Sequence, residues 1–514
     1  MEKIILSKYF SNGCVLQSGR CTNIWGKCKP NTVVKAEFQN KTYITNSDEN
    51  GLFVFGVNAD VGYGYELKIQ TDESEKVLSD ILVGDVYICV GQSNMELPML
   101  RVREKYPDEL GEKNIKEFKV FENESFNIEN DFDFKKALWR KCSGTEFEKV
   151  SAFGYFFSKL VYKEKDIPVG FVNISVGGSK VESFMDIEYL KGYKNQENLI
   201  NKFSDKNYRE NFFKEQAKRE DDWHRKIILE EEFSKNNFDE KNYKQINLPN
   251  FFKDEGIKNF SGLIYLRKKF YIDAKDIERI KKLKSAKLYL GTISDSDKVY
   301  LNSVFVGETG YKYPPRIYEF NVDLLKEGEN EVFIRLEVRD ENGRFTKDKR
   351  YEIQVGDILK ISLCGTWDYQ LVVKSKNAPE LIFPNEIPTS LYNGMLNRAF
   401  FISTRAFIWY QGESNDKNAY EYKDLLIRFI NSLRKKWKVK SLPCVIVGLP
   451  RCNIDINGDW EVIRNAQESV AKELEEVYYV DNSRLGEVND LHPLDKLEMA
   501  KNTYNKIKEK YEII

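Results

Sequence analysis

The sequence predicts an α/β protein whose core is a parallel sheet covered by helices on both faces, joined to two all-β units. Three observations lead there. Apolar strand-like runs alternate with helical stretches over much of the chain, the pattern of a sheet buried on both sides. Short runs of alternating polarity between turn signals fill residues 1–78, and the same alternation returns over 246–375. The length of 514 residues exceeds what one hydrophobic core organises.

Taken in order, TVVKAEF and LFVFGV lie on either side of the turn signal SDENG and read as antiparallel strands of a small β-sandwich over 1–78. The first part of the α/β region, 79–245, holds the strand candidates ILVGDVYICVG and GFVNISVGG. Within it, residues 195–245 are densely charged, with aromatic and aliphatic residues at intervals of three to five, which predicts a solvent-exposed amphipathic helical region. His224, with Asp222 and Arg225 close by, takes a surface role there. GLIYLRKKFYI, SAKLYLGTI, DKVYLNSVFVGE and NEVFIRLEVRD read as strands of an inserted β unit over 246–375. The second α/β part, 376–514, supplies the strands RAFIWYQGE, PCVIVGLP and EVYYVDNS. Asp459 is a natural N-cap for a helix presenting Trp460, Ile463, Gln467 and Val470 on one stripe. A last helix repeats apolar residues at Leu497, Ala500, Tyr504 and Ile507.

Charge narrows the function classes. With 80 basic and 81 acidic residues the formal charge is -1, which gives no electrostatic reason to expect nucleic acid or an anionic membrane as partner. The start MEKIILSKYF lacks the apolar h-region of a secretory signal, and no window approaches the roughly 20 apolar residues of a membrane span. A cytoplasmic location is the resulting expectation. Eight cysteines without a CxxC suggest neither a disulfide framework nor a zinc ribbon. Cys14, Cys21 and Cys28 recur every seven residues but have no histidine nearby. Two histidines in the chain rule out multi-histidine metal sites, so no metal is expected. Oligomeric state leaves no signal.

In open α/β sheets, ligands gather beyond the carboxyl ends of the strands. Four segments sit at or near such ends: Gly91-Gln92-Ser93-Asn94, Gly177-Gly178-Ser179, Gln411-Gly412-Glu413-Ser414-Asn415 and Asp490-Leu491-His492-Pro493. A serine just past a buried strand holds its hydroxyl rigidly at the sheet edge, the position of a nucleophile. Ser93 then needs a base, and His492 is the histidine in a suitable loop. Asp490 can fix the imidazole through Nδ1 and stabilise the imidazolium. The backbone N–H groups of Ser93 and Gly178, with the Gln411 carboxamide as a third donor, are candidates for holding the developing oxyanion. Each segment also has a plain reading as a polar turn, a capped loop or a helix start.

Together the segments resemble the sialate O-acetylesterase family of the SGNH hydrolase superfamily. The resemblance is carried by GDVYICVGQSNMELPM, NISVGGSKVESFM, FIWYQGESN and DLHPLDK, with FSNGCVLQSG, LYNGML and IRNAQ extending it over most of the chain. It implies a three-layer αβα SGNH-type catalytic domain, an inserted jelly-roll-like β domain, and acetyl transfer from an O-acetylated sugar to Ser93 and then to water. It implies no cofactor. Ser93 is carried over as nucleophile, His492 as general base and acid, Asp490 as its orienting partner, and Gly178 with Gln411 as oxyanion donors. Tyr87, Val176 and the segment LNRAF depart from the family pattern around the pocket. Asp490 precedes His492 by two residues where many SGNH hydrolases have three, which keeps Glu487 and Asp495 open as orienting acids. The expected substrate is a 9-O-acetylated sialate, with xylan- or mannan-derived acetyl oligosaccharides as the alternative. A noncatalytic carbohydrate-binding protein is the alternative of another class.

Overall fold

In the computed structural model, which describes residues 3–128, 131–235, 242–453 and 459–511, the organising element is strand β1 (Glu75–Gly91). Its first six residues are exposed except Leu78, and this half pairs antiparallel with Gly62–Gln70 among the N-terminal strands. From Ile81 to Gly91 every residue is buried. Hence the change of pattern that the sequence shows near residue 78 falls inside a single strand, where a one-sided environment becomes a two-sided one.

The central sheet adds β2 (Gly111–Val120), β3 (Ala137–Ser143), β4 (Val169–Ser175), β5 (Ala406–Tyr410), β6 (Cys444–Val447) and β7 (Val477–Val480). Their order is β3-β2-β4-β1-β5-β6-β7. All neighbours run parallel except the antiparallel β3 and β2. The strands β2 and β3 were not evident as apolar runs because β2 buries Lys116, Glu117 and Lys119. Glu117 accepts from Asn173 Nδ2 at 2.7 Å and from the Ser151 N–H at 3.2 Å.

Five helices matter to the site: α1 (Ser93–Glu96), α2 (Ala152–Lys165), α3 (Ala419–Trp437), α4 (Trp460–Glu473) and α5 (Lys496–Tyr511). Phe153 of α2 meets the Tyr410 ring at 5.5 Å, while Phe429 of α3 meets Trp409 at 4.7 Å. Successive strand residues point to opposite faces, so α2 and α3 cover opposite faces of the sheet. Helix α5 shares the face of α2, with Met499 Sδ 3.3 Å from the Tyr410 hydroxyl and Tyr504 beside Phe157. The α4 helix begins as expected, Asp459 Oδ1 accepting from the N–H groups of Glu461 and Val462, and buries Trp460, Ile463, Gln467 and Val470.

The chain divides into two compact units, Met1–Arg209 with Ile382–Ile514, and Glu210–Leu381. The second consists largely of antiparallel strands in a six-stranded and a four-stranded sheet, with a core that includes Leu266, Leu288, Ile334, Ile353 and Trp367. The helix Lys206–Lys235, expected to be a solvent-exposed element, buries Trp223 and Ile227 against Leu263, Tyr265 and Val373. One apolar stripe on a highly charged helix is enough to dock it. His224 lies beside that stripe, 3.1 Å from Glu220 and 3.2 Å from Glu337. The part of the expected helical region over 236–241 lies outside the described residues. Among the described residues no helix is long and apolar enough to cross a membrane.

Candidate active site

At the carboxyl end of β1 the chain order reverses: β4 and β2 lie on one side, β5, β6 and β7 on the other. Such a switch point leaves a crevice where the flanking loops part. Gly91 makes the exit from β1 possible, since a Cβ there would stand 2.0 Å from the carbonyl oxygen of Tyr410 on β5. The chain then turns directly into α1, whose first residue is Ser93.

His492 reaches the same point from the loop before α5. Its Nε2 is 2.8 Å from Ser93 Oγ, although 399 positions separate the two in sequence. Ser93 is half-buried and His492 buried, 8 % exposed. Asp490 Oδ1 accepts from the backbone N–H of His492 at 2.8 Å, a bond that closes the loop around the histidine. Asp495, the alternative orienting acid, is engaged by Lys105 and by the Gly486 N–H.

The glycine pair stands across from the serine. A Cβ on Gly177 would lie 3.6 Å from Ser93 Cβ, and the Gly177 N–H is committed to Glu96 Oε2 at 2.9 Å. Gly178 has φ 77°, a left-handed conformation suited to glycine, and its nearest neighbour in the space a Cβ would occupy is Asn385 Nδ2 at 3.9 Å. Asn385 in turn holds the Gly177 carbonyl at 2.8 Å.

Gln411 is fully buried, and its amide nitrogen donates to the Ser179 carbonyl at 3.1 Å and to Asn415 Oδ1 at 2.7 Å. Its carboxamide therefore braces two loops, and acting as an oxyanion donor would require it to release one of these bonds. Asn415 extends the brace, accepting from the Val181 N–H at 3.1 Å and donating to Glu182 at 2.8 Å. Gln92 Oε1 receives the Ser414 N–H at 3.2 Å. All four segments expected to share a site thus meet around the end of β1.

Three residues of this neighbourhood were not anticipated as partners. Asn94 is fully buried and connects Glu413, the Leu491 carbonyl and Lys496. Burial raises the Glu413 carboxyl, opposed mainly by its bond from Asn94. Burial pulls the Lys496 ammonium down to about 7, with Glu413 and Asp490 acting in the opposite direction. Nothing in a lysine at the start of a polar helix signals such burial. Nearer the surface, burial and the adjacent Glu124 push Glu122 up to about 7, and Glu96 adds to the effect.

Fold and site together define a class: an α/β protein with a serine and a histidine in hydrogen-bond contact beyond the carboxyl ends of parallel strands. Residues 371–499 match the family model described as carbohydrate esterase, sialic acid-specific acetylesterase. The sialate O-acetylesterases of Rattus norvegicus and Homo sapiens are 28 % and 24 % identical to the chain over 120 residues. That stretch is 22 % of this chain and 22–23 % of those relatives, so the chain matches under a quarter of their length. A carbohydrate acetylesterase from Xanthomonas citri shares the fold, with a TM-score of 0.58 at 17 % identity, covering 98 % of this chain and 74 % of the other. Over residues 371–499 the chain is thus similar to the sialate O-acetylesterase family.

Proposed function

We propose that the protein is a carbohydrate O-acetylesterase of the three-layer SGNH type that works through an acyl-serine. The observation that carries this reading is the 2.8 Å contact between Ser93 Oγ and His492 Nε2. The hydroxyl attacks the acetyl carbonyl while the imidazole takes its proton. Negative charge moves to the carbonyl oxygen, where the N–H groups of Ser93 and Gly178 receive it. Collapse of the tetrahedral intermediate expels the sugar hydroxyl, protonated by His492, and leaves acetyl-Ser93. Water, deprotonated by His492, repeats the attack and releases acetate. Asp490 contributes by closing the histidine loop and by placing negative charge near the imidazolium. No step calls for a metal or organic cofactor.

The relatives' names favour an O-acetylated sialate as substrate, and the 9-O-acetyl ester is the form we propose. A second reading, neutral xylan- or mannan-derived acetyl oligosaccharides, is supported by Glu96 beside the glycine pair and by the nearby Glu122 and Glu124. The carboxylate of a sialic acid would meet like charge there, offset in part by Lys119 at 3.3 Å from Glu96. A cytoplasmic site of action belongs to the same proposal and is tested by locating a tagged protein.

Acetate release from a panel of O-acetylated sialic acids and neutral oligosaccharides decides the substrate. Ser93→Ala should abolish release with the fold intact. Unchanged release would reject the serine, and binding of sugars without release would turn the reading to a carbohydrate-binding protein.

A further inference from the structure

The acyl-serine scheme makes no use of the buried Lys496. Lys496 is fully buried at the first turn of α5, on the stripe continued by Met499, Ala500, Thr503 and Ile507. Its ammonium donates to Asn94 Oδ1 at 2.5 Å and stands 5.3 Å from the centroid of the Tyr410 ring. Asn94 directs Nδ2 to Glu413 Oε1 at 2.5 Å and to the Leu491 carbonyl at 3.1 Å. The charges facing Lys496 come from several elements: Glu413 after β5, Asp490 and Asp495 in the histidine loop, and Arg101.

Donor and acceptor chemistry permits one orientation of this amide. An ammonium only donates, whereas an ionised carboxylate and a carbonyl only accept. Asn94 must then offer its oxygen to Lys496 and its nitrogen to Glu413 and Leu491. Asn94 follows Ser93 in the chain, and Leu491 precedes His492. We propose that Lys496 is a positioning residue: by fixing the Asn94 amide, it ties the loop of His492 to the turn that carries Ser93.

The tie depends on the lysine's proton. A neutral amine still has N–H groups to offer Asn94 Oδ1, but the bond loses its charge assistance and roughly half its strength. The amide is then held less firmly, and the tie between the loops slackens. Burial brings Lys496 down to about 7, so the release falls just above the titration of an ordinary histidine. His492 must be neutral and Lys496 charged for the arrangement to persist.

The catalytic meaning rests on the serine–histidine reading, but the test has an arm that does not. The chain has two histidines, so His224→Gln leaves the ring resonances of His492 alone in a histidine-labelled sample. In this background the His492 signal should shift once with its own titration and again near pH 7, as Lys496 loses its proton. Lys496→Met should remove the second step, and Lys496→Arg should move it beyond the accessible range. In parallel, Lys496→Met should lower kcat for acetyl esters by about tenfold or more, with KM changed by less than about twofold. Lys496→Arg should keep most of the activity and lose the alkaline limb. A His492 signal with the same single titration in all these proteins overturns the proposal, as does an alkaline limb that stays in place in Lys496→Arg. If the methionine variant does not fold, the arginine variant carries both readouts. The second NMR step without any acetate release supports the positioning network and overturns the esterase reading alone.

Discussion

Arg316 in the β unit and Lys496 beside the candidate site are both wholly removed from solvent, yet their partners differ in kind. Arg316 donates Nε to Asp297 at 2.6 Å, Nη2 to the Asp295 carbonyl at 2.6 Å and Nη1 to the Pro314 carbonyl at 2.7 Å. Tyr318 completes Asp297 with a further bond of 2.6 Å. Lys496 is linked to Glu413 through the Asn94 amide. A planar cation in direct contact with its anion fixes local structure and resists titration. A compact ammonium held at one remove keeps a labile proton. The first arrangement suits a scaffold, the second a place where protonation matters.

This contrast can be broken at five points. Ser93→Ala should reduce acetate release on the order of 10⁴-fold or more while leaving thermal unfolding nearly unchanged. A large loss of stability instead would make the site structural. Arg316→Ala should show the reverse: destabilisation of about 3–5 kcal/mol in denaturant unfolding of the β unit, because Asp297 is left buried without its partner. Acetate release by the folded protein should remain.

The pH dependence of stability offers a third, smaller test. Lys496 is depressed to about 7 in the fold, whereas an unfolded lysine titrates near 10.4. Between these values the unfolded chain binds more protons, so the contribution of Lys496 makes the protein more stable as pH rises through that window. The wild type should therefore gain stability relative to Lys496→Met from pH 7 to 10, over the range in which its activity declines. Equal slopes would show that the lysine is not strained by burial. On the acid side, activity should fall as His492 gains a proton and ceases to act as base. The smallest effect concerns substrate charge. Glu96→Gln retains an acceptor for the Gly177 N–H, and kcat/KM for an O-acetylated sialate should rise about two- to fivefold relative to a neutral acetyl sugar. No change in that ratio would remove the electrostatic case for neutral substrates.

Much of the site could be read from the chain because its signals are local. A buried apolar run ending in glycine and serine announces a strand followed by a tight turn, and with two histidines the choice of base is narrow. The strands ending at Ser175, Tyr410, Val447 and Val480 likewise showed as continuous apolar runs. What stayed hidden is nonlocal. The apolar repeat Leu497, Ala500, Tyr504 and Ile507 places the buried stripe of α5 nearly correctly, but Lys496 occupies the position where Leu497 was expected to anchor it. A lysine there reads as solvent-facing until Asn94 and Glu413 are known to converge on it. The commitment of Gln411 to Ser179 and Asn415 is of the same kind, since donors are exhausted by neighbours that sequence spacing does not bring together.

Strand β1 also acts as a ruler. At about 3.3 Å per residue its 17 residues extend on the order of 50 Å, from the hairpin near Ser74 to the doorstep of Ser93. A slip of one residue in the pairing with Gly62–Gln70 would invert every side chain carried forward from it. Mutations in an outlying hairpin can therefore silence a hydroxyl they never approach.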